Sequence, residues 1–252
     1  MKKTALITGA TGGIGEALCF AFAREGYNII AHCFKNEDKC KKLCDEISSL
    51  YGIKALPLKA DFNCTEEIKQ LAEKALEFSD IDILINNAGI SHQELFQWVS
   101  DEKEAEILQI NTQSALTLTK LILPSMISRH NGSIINISSI WGVTGGSCEV
   151  HYSASKAALI GFTKALAKEA GPSGVRVNCI APGLIDTKMN SIFSQEDLDA
   201  VIDETPLMRI GTGEDIAELA LFLAGNKASF ITGQIIGVDG GLSLLITKGM
   251  IL

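Results

Sequence analysis

Long apolar runs are missing from this chain. No stretch approaches the roughly 18 uninterrupted apolar residues that a membrane-spanning helix needs, so no membrane span is expected. An excess of cations is missing too. Lys and Arg total 22 against 30 Asp and Glu, a net charge of −8, and the cations are scattered. That leaves no basic stripe to follow a phosphate backbone and argues against nucleic acid as a partner. The seven cysteines (Cys19, Cys33, Cys40, Cys44, Cys64, Cys148, Cys179) are odd in number and lack a framework spacing. Reduced thiols in a cytoplasm are therefore expected. Cys40 and Cys44 lie a helical turn apart, but no His stands near them at ligand spacing, so no metal site is expected. The four histidines (His32, His92, His130, His151) have no Gly-x-Ser-x-Gly turn to work with, which argues against serine-dependent hydrolysis. The start, Met1 to Ile7, reaches Thr8-Gly9 too soon for a signal-peptide core and is read as mature protein. Pro- or Ser-rich linkers, repeats and composition shifts are also absent, which favours one domain over two.

What is present is a globular pattern with 46% apolar residues. Short runs rich in Ile, Val and Leu recur at 4–8, 28–33, 55–59, 81–85, 133–137, 176–180 and 234–238. Segments with 3.6-residue apolar spacing separate the first six, as at Ile14, Leu18, Ala21 and Phe22. Strands alternating with helices predict a doubly wound, Rossmann-type α/β fold with a parallel seven-stranded sheet in a single domain over residues 1–242. The stretch 101–129 reads as one long helix, 187–212 as a helical or mobile excursion suited to a substrate lid, and 214–223 as the last helix.

The first run leads straight into Thr8-Gly9-Ala10-Thr11-Gly12-Gly13-Ile14-Gly15 and a helix. Glycines there let the backbone turn tightly and approach a pyrophosphate, whose charge meets the free N–H groups of the helix start. The position after the first strand is where a dinucleotide is expected. An acid at the end of the second strand would bind the ribose 2′-hydroxyl of NAD(H), but that end reads Ala31-His32-Cys33-Phe34-Lys35-Asn36. Lys35 either meets the 2′-phosphate of NADP(H), the favoured cofactor, or is an ordinary solvated lysine. Asp61 and Asn87-Ala88-Gly89 fall at the ends of later strands, where such sheets bind ligands.

Tyr152 and Lys156 stand four apart at the start of an Ala-rich helix, on one face. An ammonium favours the phenolate and lowers the phenol from its usual value of about 10, preparing it as acid to a carbonyl or base to an alcohol. Such a pair arises by chance about 0.2 times in a chain of this composition, so it proves little alone. Ser139, just past an apolar strand, can bond a reacting oxygen but is also a common turn residue, and Asn111 sits within the long helix, where an amide is a mediocre helix former.

Taken together, Thr8-Gly9-x3-Gly13-x-Gly15, Asn86-Asn87-Ala88-Gly89, Asn111, Ser139, Tyr152-x3-Lys156 and Pro182-Gly183 followed by Thr187 resemble the short-chain dehydrogenase/reductase family over nearly the whole chain, to about Leu242. The resemblance implies Tyr152 as proton donor and Ser139 as carbonyl-orienting group. It implies that Lys156 holds the ribose and lowers the tyrosine pKa, and that Asn111 anchors a relay water. Nicotinamide would lie near Pro182, Gly183, Ile185 and Thr187, with hydride passing to a ketone.

Within the family the chain is similar to bacterial 3-oxoacyl-acyl-carrier-protein reductases, including Ile231-Thr232-Gly233-Gln234 and Val238-Asp239-Gly240-Gly241. This implies NADPH and a homotetramer. The charge of −8 sits uneasily with an acidic carrier: Arg129 can supply part of a basic patch, but the loop Gly171-Pro172-Ser173-Gly174 adds no second cation. The segment Ser138-Ser139-Ile140-Trp141-Gly142 with Ser147-Cys148-Glu149-Val150 also resembles elongation factor P 5-aminopentanone reductases. Trp141 and Glu149 are the candidate substrate residues, Glu149 for a cationic amine. A non-enzymatic NADP sensor is a further alternative, opposed by an acid–base set it would leave idle. The apolar tail 243–252 either packs on a neighbouring subunit, the favoured reading, or is disordered.

Overall fold

In the computed structural model, described for residues 2–187 and 194–244, seven parallel strands form one sheet in the order β3-β2-β1-β4-β5-β6-β7. The strands are β1 (Thr4–Ile7), β2 (Asn28–Cys33), β3 (Ala55–Lys59), β4 (Ile83–Asn86), β5 (Gly132–Ile137), β6 (Val175–Pro182) and β7 (Ile235–Val238). Helices α1 (Gly13–Arg24), α2 (Glu37–Tyr51), α3 (Thr65–Phe78), α4 (Asp101–Leu108), α5 (Ser114–Ser128), α6 (Trp141–Thr144), α7 (Val150–Ala170), α8 (Gln195–Glu204) and α9 (Gly213–Ala224) complete the described elements.

The interior strands β1, β2, β4, β5 and β6 are covered on both faces, and their side chains alternate between two cores as the pleat requires, while the edge strands β3 and β7 are only partly covered. Ala5, Ile7, Ile29, Ala31, Ile83 and Ile85 pack on one side with α1, α2 and α9. Leu6, Ile30, Leu84 and Ile134 pack on the other with α3, α5 and α7. Each buried Leu or Ile contributes about 1.5–3 kcal/mol, so the sheet is anchored from both faces. The apolar stripe Cys40, Leu43, Cys44 and Ile47 at helical spacing seats α2, which stops at Gly52 in the left-handed conformation with φ 60°. Capping boxes start α8 (Ser194 with Asp197) and α9 (Thr212 with Asp215).

The long helix expected over 101–129 is present but not uniform. Between α4 and α5 the chain widens into one π-helical turn, Gln109–Gln113, and Asn111 lies in it, 1% exposed. Single π turns of this kind are frequent at functional sites. Of the excursion at 187–212, residues 188–193 lie outside the described part, and α8 fills much of the remainder. The tail from residue 245 onward also lies outside the described residues. No helix among the described residues is long and apolar enough to cross a membrane.

The chain runs outward from β1 to β3, then returns to lay β4 on the other side of β1. The connections leaving β1 and β4 therefore diverge, and the crevice between them at the carboxyl ends of the strands is where such sheets bind ligands.

Candidate active site

The turn after β1 is built to bring backbone close to whatever occupies that crevice. Gly9 has φ 68°, and a Cβ on Gly15 would lie 2.1 Å from the Gly9 carbonyl oxygen, so neither position tolerates a side chain. The first turn of α1 has no side-chain cap, because its N-cap residue is Gly12. Its first N–H groups thus remain available to an anion, reinforced by the helix dipole. Asn87 and Ala88 brace this turn. Asn87 Nδ2 donates to the Thr8 carbonyl at 2.8 Å, and both Asn87 N–H and Ala88 N–H donate to Thr8 Oγ1 at 2.9 Å. A Cβ on Gly13 would lie 2.7 Å from Thr187 Cγ2, which puts Thr187 against the same turn. Pro182 ends β6, Gly183 follows it against Asp239, and Ile185, 3% exposed, bridges to Gly211. Ile14 is half-buried at the start of α1.

His32 is a participant the residue pattern did not reveal. It is 3% exposed and stacked on Phe62 at 4.0 Å; Gly9 N–H donates to its Nδ1 at 3.2 Å, which leaves Nε2–H to donate to the Ala60 carbonyl at 3.1 Å. Burial pushes its pKa down to about 4, so the ring is neutral and ties β3 to the glycine turn. Lys35 is exposed, its ammonium 5.6 Å from the centre of the Phe34 ring. Asp61 turns back on its own loop, where Oδ1 accepts from Asn63 N–H at 2.9 Å.

At the ends of β5 and β6 the acid–base residues come together. Ser139, 8% exposed, accepts from Trp141 N–H at 3.1 Å and hydrogen-bonds the Tyr152 phenol. Lys156, 3% exposed, donates to the Ile137 carbonyl at 2.9 Å, its Nζ 5.7 Å from the centre of the Tyr152 ring. Asn111 donates to the Ile90 carbonyl at 2.8 Å and Ser155 Oγ at 3.0 Å and accepts from Ile90 N–H at 2.8 Å, so its amide is fixed. A Cβ on Gly89 would lie 3.1 Å from Lys156 Nζ and 3.2 Å from Asn111 Oδ1, so Gly89, Asn111 and Lys156 meet at one point.

The expected lowering of the tyrosine pKa does not occur in this structure. Burial first, then the nearby Glu149 charge, pushes Tyr152 up to about 12, against the opposing hydrogen bond from Ser139. Burial also pushes Lys156 down to about 8, which weakens the ammonium that was to lower the phenol. At neutral pH the phenol holds its proton and is set as a donor.

Glu149 opens α7 as its N-cap, 8% exposed, hydrogen-bonded to Trp141; burial raises its pKa. Trp141 is 36% exposed beside it. Cys148, just before, is held at φ 61° with its carbonyl accepting from Glu94 N–H at 2.9 Å. His151 stacks on Phe96 at 5.0 Å and lies 3.8 Å from Glu104. Arg129, the candidate for part of a basic patch, is engaged internally: it donates to Asp82 at 3.1 Å and to the Ile81 carbonyl at 2.6 Å, at the opposite ends of the strands. No group of three or more His, Cys, Asp or Glu suited to a metal occurs among the described residues.

Comparison with known proteins agrees with this geometry. The short chain dehydrogenase family model matches residues 3–197. The uncharacterized oxidoreductase YmfI of Bacillus subtilis is 41% identical over 96% of this chain and 99% of its own. The 3-oxoacyl-acyl-carrier-protein reductase FabG of Aquifex aeolicus is 40% identical over 95% of this chain and 97% of its own. A solved structure of a putative NAD(P)-dependent gluconate 5-dehydrogenase from Beutenbergia cavernae, with NADP bound at low occupancy, superposes with a TM-score of 0.91 at 34% identity, covering 95% of this chain and 96% of that one. The chain belongs to the short-chain dehydrogenase family and is an oxidoreductase.

Proposed function

We propose that this oxidoreductase is an NADPH-dependent carbonyl reductase of the 3-oxoacyl-acyl-carrier-protein reductase kind, acting as a cytoplasmic homotetramer. The observation that carries the reading is the convergence of Tyr152, Ser139 and Lys156 beside an uncapped glycine turn at the sheet's switch point. The turn fits a dinucleotide, since Gly12 at the N-cap leaves the first N–H groups of α1 without a side-chain partner and so open to a pyrophosphate. The free N–H groups opening α1, at Gly13, Ile14 and Gly15, would hold the pyrophosphate, with Gly9 and Thr11 in the turn below. Asp61, Asn87, Ala88 and Gly89 would line the adenosine and ribose side, and Pro182, Gly183, Ile185 and Thr187 the nicotinamide side.

When bound, the dihydronicotinamide supplies a hydride to the carbonyl carbon. Ser139 Oγ donates a hydrogen bond to the carbonyl oxygen and turns it toward Tyr152. The Tyr152 hydroxyl gives its proton to that oxygen as negative charge develops, leaving a phenolate. Lys156, protonated below about pH 8, stabilises the phenolate and holds the ribose. Asn111 anchors a water for re-protonation.

A second reading has its own observation. Glu149 is buried at the substrate side close enough to influence Tyr152, and a carboxylate there suits a cationic amine, as on an elongation factor P carrying the 5-aminopentanone group. Arg129, turned inward to Asp82, gives an acidic carrier no purchase. The deciding experiment is NADPH oxidation with an acetoacetyl thioester beside the modified elongation factor P, with NADH in parallel. Thioester turnover alone supports the first reading, and turnover of the modified factor alone supports the second. Tight NADPH binding with no turnover on either overturns both in favour of a cofactor sensor.

A further inference from the structure

Lysines are unfavourable in the first turn of a helix, where the dipole is positive. Lys39 nevertheless stands there, in α2, and its ammonium leaves its own helix for the glycine turn. Nζ donates to the Thr11 carbonyl at 3.0 Å and pairs with Glu16 Oε2 at 2.5 Å. Its side chain remains 42% exposed, so the charge is fixed in position yet open to a ligand.

The neighbouring charges leave this lysine as the fixed cation at that corner. Glu37, the first acid after β2, lies between Lys41 at 2.8 Å and Lys59 at 3.4 Å and is not free to receive a ribose hydroxyl pair. Asp38, exposed in the same turn, makes no hydrogen bond or ion pair among the described residues. Lys35 is exposed, its ammonium 5.6 Å from the centre of the Phe34 ring and without an ion pair among the described residues, so its charge is available but loosely placed.

We propose that Lys39 is the main determinant of cofactor choice: its ammonium, held over Thr11, binds the adenosine 2′-phosphate, and Lys35 adds a weaker second charge. This rests on the NADPH reading given above. Glu16 orients Lys39 before binding and cedes part of it to the phosphate. A localised ammonium pre-placed by two acceptors loses little side-chain freedom on binding, whereas Lys35 must be ordered from solvent.

The test is calorimetric titration of the intact protein with adenosine 2′,5′-bisphosphate and with 5′-AMP, which carry no nicotinamide and need no turnover. Lys39→Met is expected to weaken the bisphosphate at least tenfold and leave 5′-AMP within twofold. Lys35→Met should weaken the bisphosphate two- to threefold, and Lys39→Arg should restore most of the loss. Unchanged bisphosphate affinity in Lys39→Met overturns the assignment while leaving the NADPH reading standing. Equal loss for both ligands overturns it as well, since Lys39 would then only support the turn. Wild-type protein that binds 5′-AMP as tightly as the bisphosphate overturns the NADPH reading and this assignment together.

Discussion

The glycine turn after β1 and the cluster at the ends of β5 and β6 share one crevice but are made in opposite ways. The turn works through backbone: Gly9 and Gly15 remove side chains, the opening N–H groups of α1 are left uncapped, and Thr8, Asn87 and His32 hold the shape from behind. The cluster works through side chains, with Ser139 and Lys156 more than nine-tenths buried, Tyr152 partly buried between them, and the set positioned by a few hydrogen bonds. Damage to the first should appear as lost binding and stability, and damage to the second as lost rate.

The largest separation should come from Tyr152→Phe. Ketone reduction is expected to fall by a factor of about 10³ or more, at the upper end of what a general acid contributes, while NADPH affinity stays within twofold. Stopped-flow turnover and nicotinamide fluorescence read the two sides independently. Gly15→Val should do the reverse in kind. Its branched side chain would enter the Gly9 carbonyl, which costs about 3 kcal/mol, measurable by urea unfolding, and NADPH binding should be lost with it.

An effect of similar size, confined to acid, belongs to His32. The unfolded ring takes a proton near its ordinary value of 6.5, but the folded ring resists until about 4. Stability is therefore complete above pH 6.5 and declines as the pH falls toward 4, by on the order of 3 kcal/mol. In His32→Gln that dependence should vanish from unfolding curves taken at several pH values, though the neutral-pH midpoint will also fall. Persistence of the full slope would show that another group causes it.

Lys156 sets a smaller effect on rate. Its charge is present below about pH 8 and lost above, so kcat/KM for reduction should hold steady up to that point and then drop about tenfold per unit. A profile flat to pH 10 would exclude the ammonium from the reaction. Smallest is Glu149→Gln, expected to reduce activity several-fold on an amine-bearing ketone and to leave a neutral ketone unchanged. Equal activity on both would remove the case for the second reading.

The same contrast explains what could be read from the amino acids alone. The strands were legible as runs rich in Ile, Val and Leu, continuous in the interior strands because both of their faces are buried. Even the shifts at their ends have local causes: β1 stops at Ile7 because Gly9 turns left-handed, and β6 extends to Pro182 because β7 pairs along it. Tyr152 and Lys156 were legible because both lie on one helix face. His32 and Lys39 were not, because their partners Gly9, Thr11 and Glu16 are 23 to 28 residues away and no local pattern joins them. The π turn at Asn111 was hidden for another reason. The residues 109–113 suit an ordinary helix, and only packing against Ile90 and Ser155 shows where the amide is held. The direction of the Tyr152 shift is not legible in the sequence because burial depends on the whole fold, whereas the spacing to Lys156 is visible in five residues.

The most direct test of the division between a backbone half that binds and a side-chain half that reacts is a crossed measurement. NADPH affinity and single-turnover ketone reduction would be recorded for Tyr152→Phe and Gly15→Val beside the wild type. The account predicts that Tyr152→Phe binds as the wild type does and does not react, while Gly15→Val fails to bind. A Tyr152→Phe protein that loses affinity in step with rate, or that keeps its rate, would contradict it.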